Sequence, residues 1–166
     1  MIYVDKKKFL RFDDWLIVKA KVLAEDLAKL AVKSIKDAIK EKKLIASGQL
    51  IESWTYAVTK KGIYKFLVKV KSESKYWKAM DEGTEKHPHF TPIPTLIEWI
   101  KLKAARGAFP EATDEKSIRN LAYAIAVNHS KHGIKARNYR ELAINKFNSR
   151  KNIIMYNWTQ KYASDK

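Results

Sequence analysis

The stretch that decides the fold class is Trp54-Thr55-Tyr56-Ala57-Val58-Thr59-Lys60-Lys61-Gly62-Ile63-Tyr64-Lys65-Phe66-Leu67-Val68-Lys69-Val70. Trp54, Tyr56 and Val58 alternate with Thr55, Ala57 and Thr59, and a second run rich in β-branched and aromatic residues begins at Ile63. Lys60-Lys61-Gly62 lies between the two runs, and two β-rich runs around a short Gly-containing loop predict a β-hairpin. Two strands alone are marginal in water, so something must cover them. The residues before the hairpin supply that cover. From Phe12 to Lys43 no Gly or Pro intervenes, and Leu16, Ala20, Leu23, Leu27, Leu30, Ala31, Ser34 and Ala38 recur at steps of three and four. That spacing lines one face of a helix. Asp13 and Asp14 suit its first turn, and Lys42 and Lys43 its last, where the helix dipole favours each sign. At 1.5 Å per residue the helix would be about 48 Å long.

The remaining elements follow from breakers and caps. Ser47-Gly48 interrupts the first helix, and residues 49–53 predict a single turn before the hairpin. Residues 75–81 read as a short helix stopped by Gly83. Pro88, Pro92 and Pro94 then fix an extended loop. Pro94 or Thr95 opens a helix with Leu96, Trp99 and Ile100 on one face. Asp114 caps another whose buried stripe is Ile118, Leu121, Ala122, Ile125 and Ala126, with Gly133 ending it. Asn138 to Tyr162 is again helical, with Tyr139, Leu142, Ala143 and Phe147 as its stripe. The predicted fold class is α+β: a long N-terminal helix on a hairpin or small antiparallel sheet, several shorter helices and a C-terminal helix. Residues 1–133 form the expected core domain, and residues 134–166 a basic helical extension.

Charge bounds the partners. The chain of 166 residues carries 34 Lys and Arg against 18 Asp and Glu, a formal net charge of +16, and 46% of it is hydrophobic. The five Trp argue for a packed core rather than a disordered basic tail. Residues 131–166 alone carry nine basic and two acidic side chains. Such a field favours polyanions or acidic protein surfaces. Lys135, Arg137, Arg140, Lys146, Arg150 and Lys151 are the candidate polyanion contacts, with Tyr139, Phe147, Tyr156 and Trp158 close by in sequence for base stacking. No helix-turn-helix or zinc-finger pattern implies sequence-specific readout. The N-terminus has Lys6-Lys7-Lys8 with no apolar run behind, which predicts no signal peptide. No run of about 18 apolar residues predicts a membrane span.

Catalytic constellations are not visible in the sequence. The absence of Cys removes disulfides, Cys-containing zinc sites and thiol nucleophiles. His87 and His89 bracket Pro88 but lack a third ligand nearby, and zinc sites want three or four. His129 and His132 sit where a cationic His meets a helix C-terminus, and capping and packing are their expected roles. Asp13-Asp14 and Glu25-Asp26 are adjacent pairs that do not share a helical face, and Asp81-Glu82 abuts Gly83 as helix-end polar surface. Ser47 lacks a Gly-x-Ser-x-Gly frame, and no Gly-rich phosphate loop occurs. The sequence predicts no enzyme, no cofactor and no metal.

Three stretches, in order, resemble one family: Ser47-Gly48-Gln49-Leu50-Ile51-Glu52-Ser53 entering a hairpin after a long helix; Tyr76-Trp77-Lys78-Ala79-Met80-Asp81-Glu82-Gly83-Thr84, then the loop Pro88 to Pro94 and Leu96-Ile97-Glu98-Trp99-Ile100-Lys101; and Leu121-Ala122-Tyr123-Ala124-Ile125-Ala126 leading through His132-Gly133-Ile134-Lys135 to Arg137-Asn138-Tyr139. Their order and spacing are similar to those of tail-completion or neck (head–tail joining, connector ring) proteins of tailed bacteriophages over roughly residues 12–147. The family often places a Pro and a Phe where this chain has Ala136 to Tyr139, and the final 20 residues lie outside the resemblance. It implies a non-enzymatic virion protein, made in the host bacterial cytoplasm, that forms a homo-oligomeric ring (hexamer or dodecamer). The ring would meet portal, adaptor or tail proteins, with packaged DNA in its lumen. Trp54, Tyr56, Trp77, Gly83, Pro92 and Trp99 are the candidate subunit-interface residues, Gly83 and Pro92 serving as conformational hinges. The alternative is a free-standing, non-sequence-specific nucleic-acid-binding domain.

Overall fold

The computed structural model describes residues 6–44, 48–74, 76–86 and 91–163. Ser47, His87, Pro88 and His89, with the readings attached to them, lie outside these residues. The fold class is α+β, with a long N-terminal helix packed on a two-stranded antiparallel sheet, several further helices and a C-terminal helix.

The first helix, α1, spans Lys6–Glu41, so it begins before Phe12, and Asp13 and Asp14 lie about two turns inside it rather than in its first turn. It also ends before Lys42 and Lys43. Lys43 adopts φ 54°, its N–H donates to Lys40 C=O (2.9 Å), and Leu44 N–H donates to Ile39 C=O (3.1 Å). This is a Schellman ending with Lys in the left-handed position that Gly usually takes. The hairpin strands are β1, Trp54–Lys60, and β2, Phe66–Ser72, paired from Trp54 with Ser72 to Lys60 with Phe66. Ile63, Tyr64 and Lys65 therefore belong to the connecting loop, which Lys61 N–H closes onto Lys65 C=O at 2.8 Å.

Two compact units interleave along the chain. The first contains residues 1–38, the hairpin and residues 141–166; the second contains residues 39–53 and 73–140. This partition cuts across the contiguous boundary at 133/134 drawn from charge. In the first unit α1 meets the C-terminal helix α6, Tyr139–Ala163. The pair runs antiparallel: Trp15 packs edge-on against Tyr162 (6.3 Å between centroids), while Asp37 accepts from Arg150 at 3.0 Å. Lys19 Nζ stands 3.9 Å above the Tyr162 ring. The buried line on α1 is Ala24, Ala28, Leu30, Ser34 and Ala38. Small residues permit close approach, and the leucines predicted for this face, Leu16, Leu23 and Leu27, are only half-buried.

The second unit is built around α4, Ile93–Ala104, and α5, Glu115–His132, whose Leu96, Ile100, Ile118, Ala122 and Ala126 form a buried cluster. Trp99 rests against Phe109 at 5.5 Å on its margin. Pro94 occupies the first turn of α4, where its missing N–H is harmless. Asp114 caps α5 in a reciprocal box with Ser117. The same unit holds two short helices, α2 (Gln49–Glu52) and α3 (Trp77–Glu82).

Candidate functional site

Two glycines organise the most heavily bonded part of the second unit. Gly83 ends α3 with φ 76° and ψ −175°, and Gly133 ends α5 with φ 74° and ψ −170°. A positive φ reverses each helix end, and the extended ψ sends the chain out of it. The two exits meet. Thr84 N–H donates to Ile134 C=O at 2.9 Å, and Ile134 N–H donates to the Thr84 hydroxyl at 3.0 Å. A Cβ on Gly83 would fall 2.5 Å from Ile134 O, and one on Gly133 would fall 2.0 Å from Thr84 O. Only glycine fits at either place. Gly83, expected to act as a hinge, is instead a wedged contact between two backbones.

The segment after Gly133 then finishes α3. Arg137 N–H is shared between Met80 C=O (3.2 Å) and Asp81 C=O (3.1 Å), and Asn138 N–H donates to Asp81 C=O at 2.9 Å. These bonds satisfy carbonyls that a six-residue helix leaves open. Asp81 returns the service. Its carboxylate is buried and accepts the Arg140 backbone N–H at 2.8 Å, one of the orphan donors in the first turn of α6. It also accepts Arg140 Nε at 2.5 Å, while the guanidinium reaches Glu82 and covers the Trp77 ring at 4.7 Å. Tyr139 is fully buried, and its hydroxyl donates to Trp77 C=O at 3.2 Å. Burial, reinforced by the Asp81 charge, pushes the Tyr139 phenol well above its usual range, and the hydrogen bond that Arg140 donates to Asp81 holds the guanidinium firmly cationic. Chemically this is a clasp. The carboxylate that a general base would need is occupied by a guanidinium and a helix terminus.

The polyanion candidates divide between the two units. Lys135 and Arg137 are exposed in the second unit, on the extended segment past Gly133. Arg140, beside them in sequence, is engaged in the clasp and so corrects the reading of it as an open phosphate contact. In the first unit Arg150 is paired with Asp37, and Lys146 and Lys151 are half-buried along α6. Two cations missed by the sequence reading join Arg137. Lys103 has its ammonium pKa lowered first by burial and then by the charges of Arg106 and Arg137. Its Nζ donates to Lys43 C=O (2.8 Å), an open carbonyl just past the end of α1. Of the interface candidates, Trp54 is buried, Tyr56 is exposed on β1, Trp77 and Trp99 are half-buried, and Pro92 is exposed at the N-cap of α4. His129 packs at the end of α5: its Nδ1 lies 3.1 Å from the Thr91 hydroxyl, and burial lowers its pKa, opposing the helix-end preference for a cation.

Among the described residues no three His, Asp or Glu are placed to hold a metal ion, and no helix is long and apolar enough to cross a membrane. No protein-family model, curated protein or solved structure matches the chain.

Proposed function

We propose that the chain is a structural subunit of the neck of a tailed bacteriophage. In this reading it forms a ring that joins the portal or adaptor to the tail and completes the DNA conduit. The observation that supports it is the clasp. Residues 76–84 and 132–139, two of the stretches that resemble the neck family, lie some fifty residues apart and bind each other through Gly83, Gly133, Asp81 and Tyr139. A part whose most elaborate bonding is spent on holding loops rigid suits assembly better than turnover. The hairpin adds a second support: among the described residues the sheet has two strands, and extending such a small sheet across subunits would suit a ring.

In virions of a phage carrying a tagged copy of this chain, gold label should decorate the junction of head and tail. Label absent from that junction refutes the proposal. The proximity of Lys103, Arg106 and Arg137 supports the second reading, a non-specific nucleic-acid-binding domain. Titrating duplex DNA against the purified chain at two salt concentrations separates the readings. Tight binding by the isolated chain, falling steeply with salt, favours the second.

A further inference from the structure

Between α1 and α6, within the first unit, lies a cavity of about 480 Å³. The α1 side presents Val22, Asp26, Lys29, Leu30 and Lys33. The α6 side presents Ile154, Asn157, Trp158, Lys161 and Tyr162. Each set recurs at three- and four-residue spacings, so each is one stripe of its helix, and the two stripes face each other. Two contacts bound the cavity lengthwise: Trp15 against Tyr162 at one end, and the Asp37–Arg150 ion pair toward the other. The α1 lining is about 16 Å long.

The floor is apolar. Leu30 is buried, and Val22, Ile154, Trp158 and Tyr162 are half-buried. The rim is cationic. Asp26 is the one carboxylate in the lining, and Lys29, 3.6 Å away, offsets it. Lys33 and Lys161 are exposed and form no ion pair with any described residue. Lys33 lies toward the Asp37 end and Lys161 beside Tyr162, so each end of the apolar trough has an uncompensated ammonium.

We propose that this cavity binds a small amphipathic carboxylate, a single unbranched apolar chain with an acid at its end. The cavity is of small-ligand size and sits between helices, where such sites recur. Its floor receives the chain, and a lysine without a carboxylate of the protein receives that of the ligand in a charge-assisted hydrogen bond. Either orientation of the chain finds an ammonium. A cationic ligand, or a second copy of this chain with its net charge of +16, is repelled by the same rim. The site goes beyond the neck reading and does not depend on it.

Decanoate is the probe. Isothermal titration calorimetry of the full chain, below the micelle concentration of decanoate, should show one saturable site with a Kd on the order of 100 μM. Octanoate should bind at least about fivefold more weakly, because each buried methylene is worth about fourfold. Lys33→Glu with Lys161→Glu should weaken decanoate binding at least about fivefold. Lys116→Glu with Arg119→Glu makes the same change in net charge at exposed positions of α5, and should cost less than about twofold. Val22→Trp narrows the cavity and should weaken binding at least about tenfold with unchanged circular dichroism. No saturable heat up to about 2 mM decanoate overturns the proposal. So does equal affinity for octanoate, an unimpaired Val22→Trp chain, or equal loss in the two charge-reversed pairs, which marks adsorption to a cationic surface. Gold label missing from the phage neck would sink the neck reading alone, and failed decanoate binding would sink this site alone.

Discussion

Replacing Gly133 by Ala perturbs the clasp at its tightest point. Two terms add. A side chain at φ 74° carries the left-handed penalty, about 1–2 kcal/mol, offset in part by the smaller entropy of an alanine in the unfolded chain, about 0.4–1 kcal/mol. The second term is contact. The new Cβ would lie 2.0 Å from Thr84 O and 2.7 Å from Glu85 O, and both neighbours are backbone. The chain exits must separate, which strains packing by about 1–3 kcal/mol. Separation also breaks the two hydrogen bonds between Thr84 and Ile134, at about 1 kcal/mol each. The sum is about 3–6.5 kcal/mol. Gly107 provides the control: its φ is 79°, but a Cβ there meets nothing within 4 Å. Gly107→Ala should therefore lose only about 1 kcal/mol. At about 2–4 °C per kcal/mol for a chain of this size, Gly133→Ala should lower Tm by roughly 6–26 °C and Gly107→Ala by only about 2–4 °C. Differential scanning calorimetry reads both. Variants melting within about 2 °C of each other would refute the close approach of the two helix exits as a stabilising contact.

Arg140→Ala should destabilise the protein by about 2–3 kcal/mol in urea unfolding, less than a fully buried pair would because the guanidinium is partly solvated. Asp81→Asn in the same background should then cost less than it does alone, and strict additivity would show that the pair is not coupled. For His129 the sign follows from burial. Its folded pKa lies below the ordinary value near 6.5, so the unfolded chain binds more protons as pH falls through that value, and stability declines from there downward. His129→Gln should flatten the difference in urea midpoint between pH 7.5 and pH 5; an unchanged difference assigns it to other histidines.

Local signals made the elements legible, and long-range pairing hid the site. The α5 boundaries follow from Asp114, Ser117 and Gly133, each acting on neighbours within a turn. The hairpin likewise reads from alternation, though Ile63 and Tyr64 have strand-like side chains and yet sit in the loop, where the Lys61–Lys65 closure decides. On α1 the periodicity found a helix but favoured leucines, whereas close packing selected Ala24 and Ala28. A pattern of hydrophobic size cannot rank small residues by how near a neighbour comes. Nothing near Asp81 announces that its carboxylate caps a helix 59 residues later, and nothing near Arg140 distinguishes it from its exposed neighbour Arg137. Such pairs are set by topology. The one sequence signal was indirect: two glycines, 83 and 133, each directly after a helix.

The interleaving of the two units has a consequence for synthesis. Residues 1–38 leave the ribosome well before residues 141–166 of the same unit, which follow the whole of the second unit. At about 5–20 residues per second, the N-terminal helix waits several seconds for its partner helix to be translated. Residues 73–140 are made before that partner, so the second unit can gather while the first still lacks its closing helix. A nascent chain released early would thus present a long amphipathic helix with one flank bare, the form most open to chaperones and proteases. Its native packing waits on a stretch made after the second unit is finished.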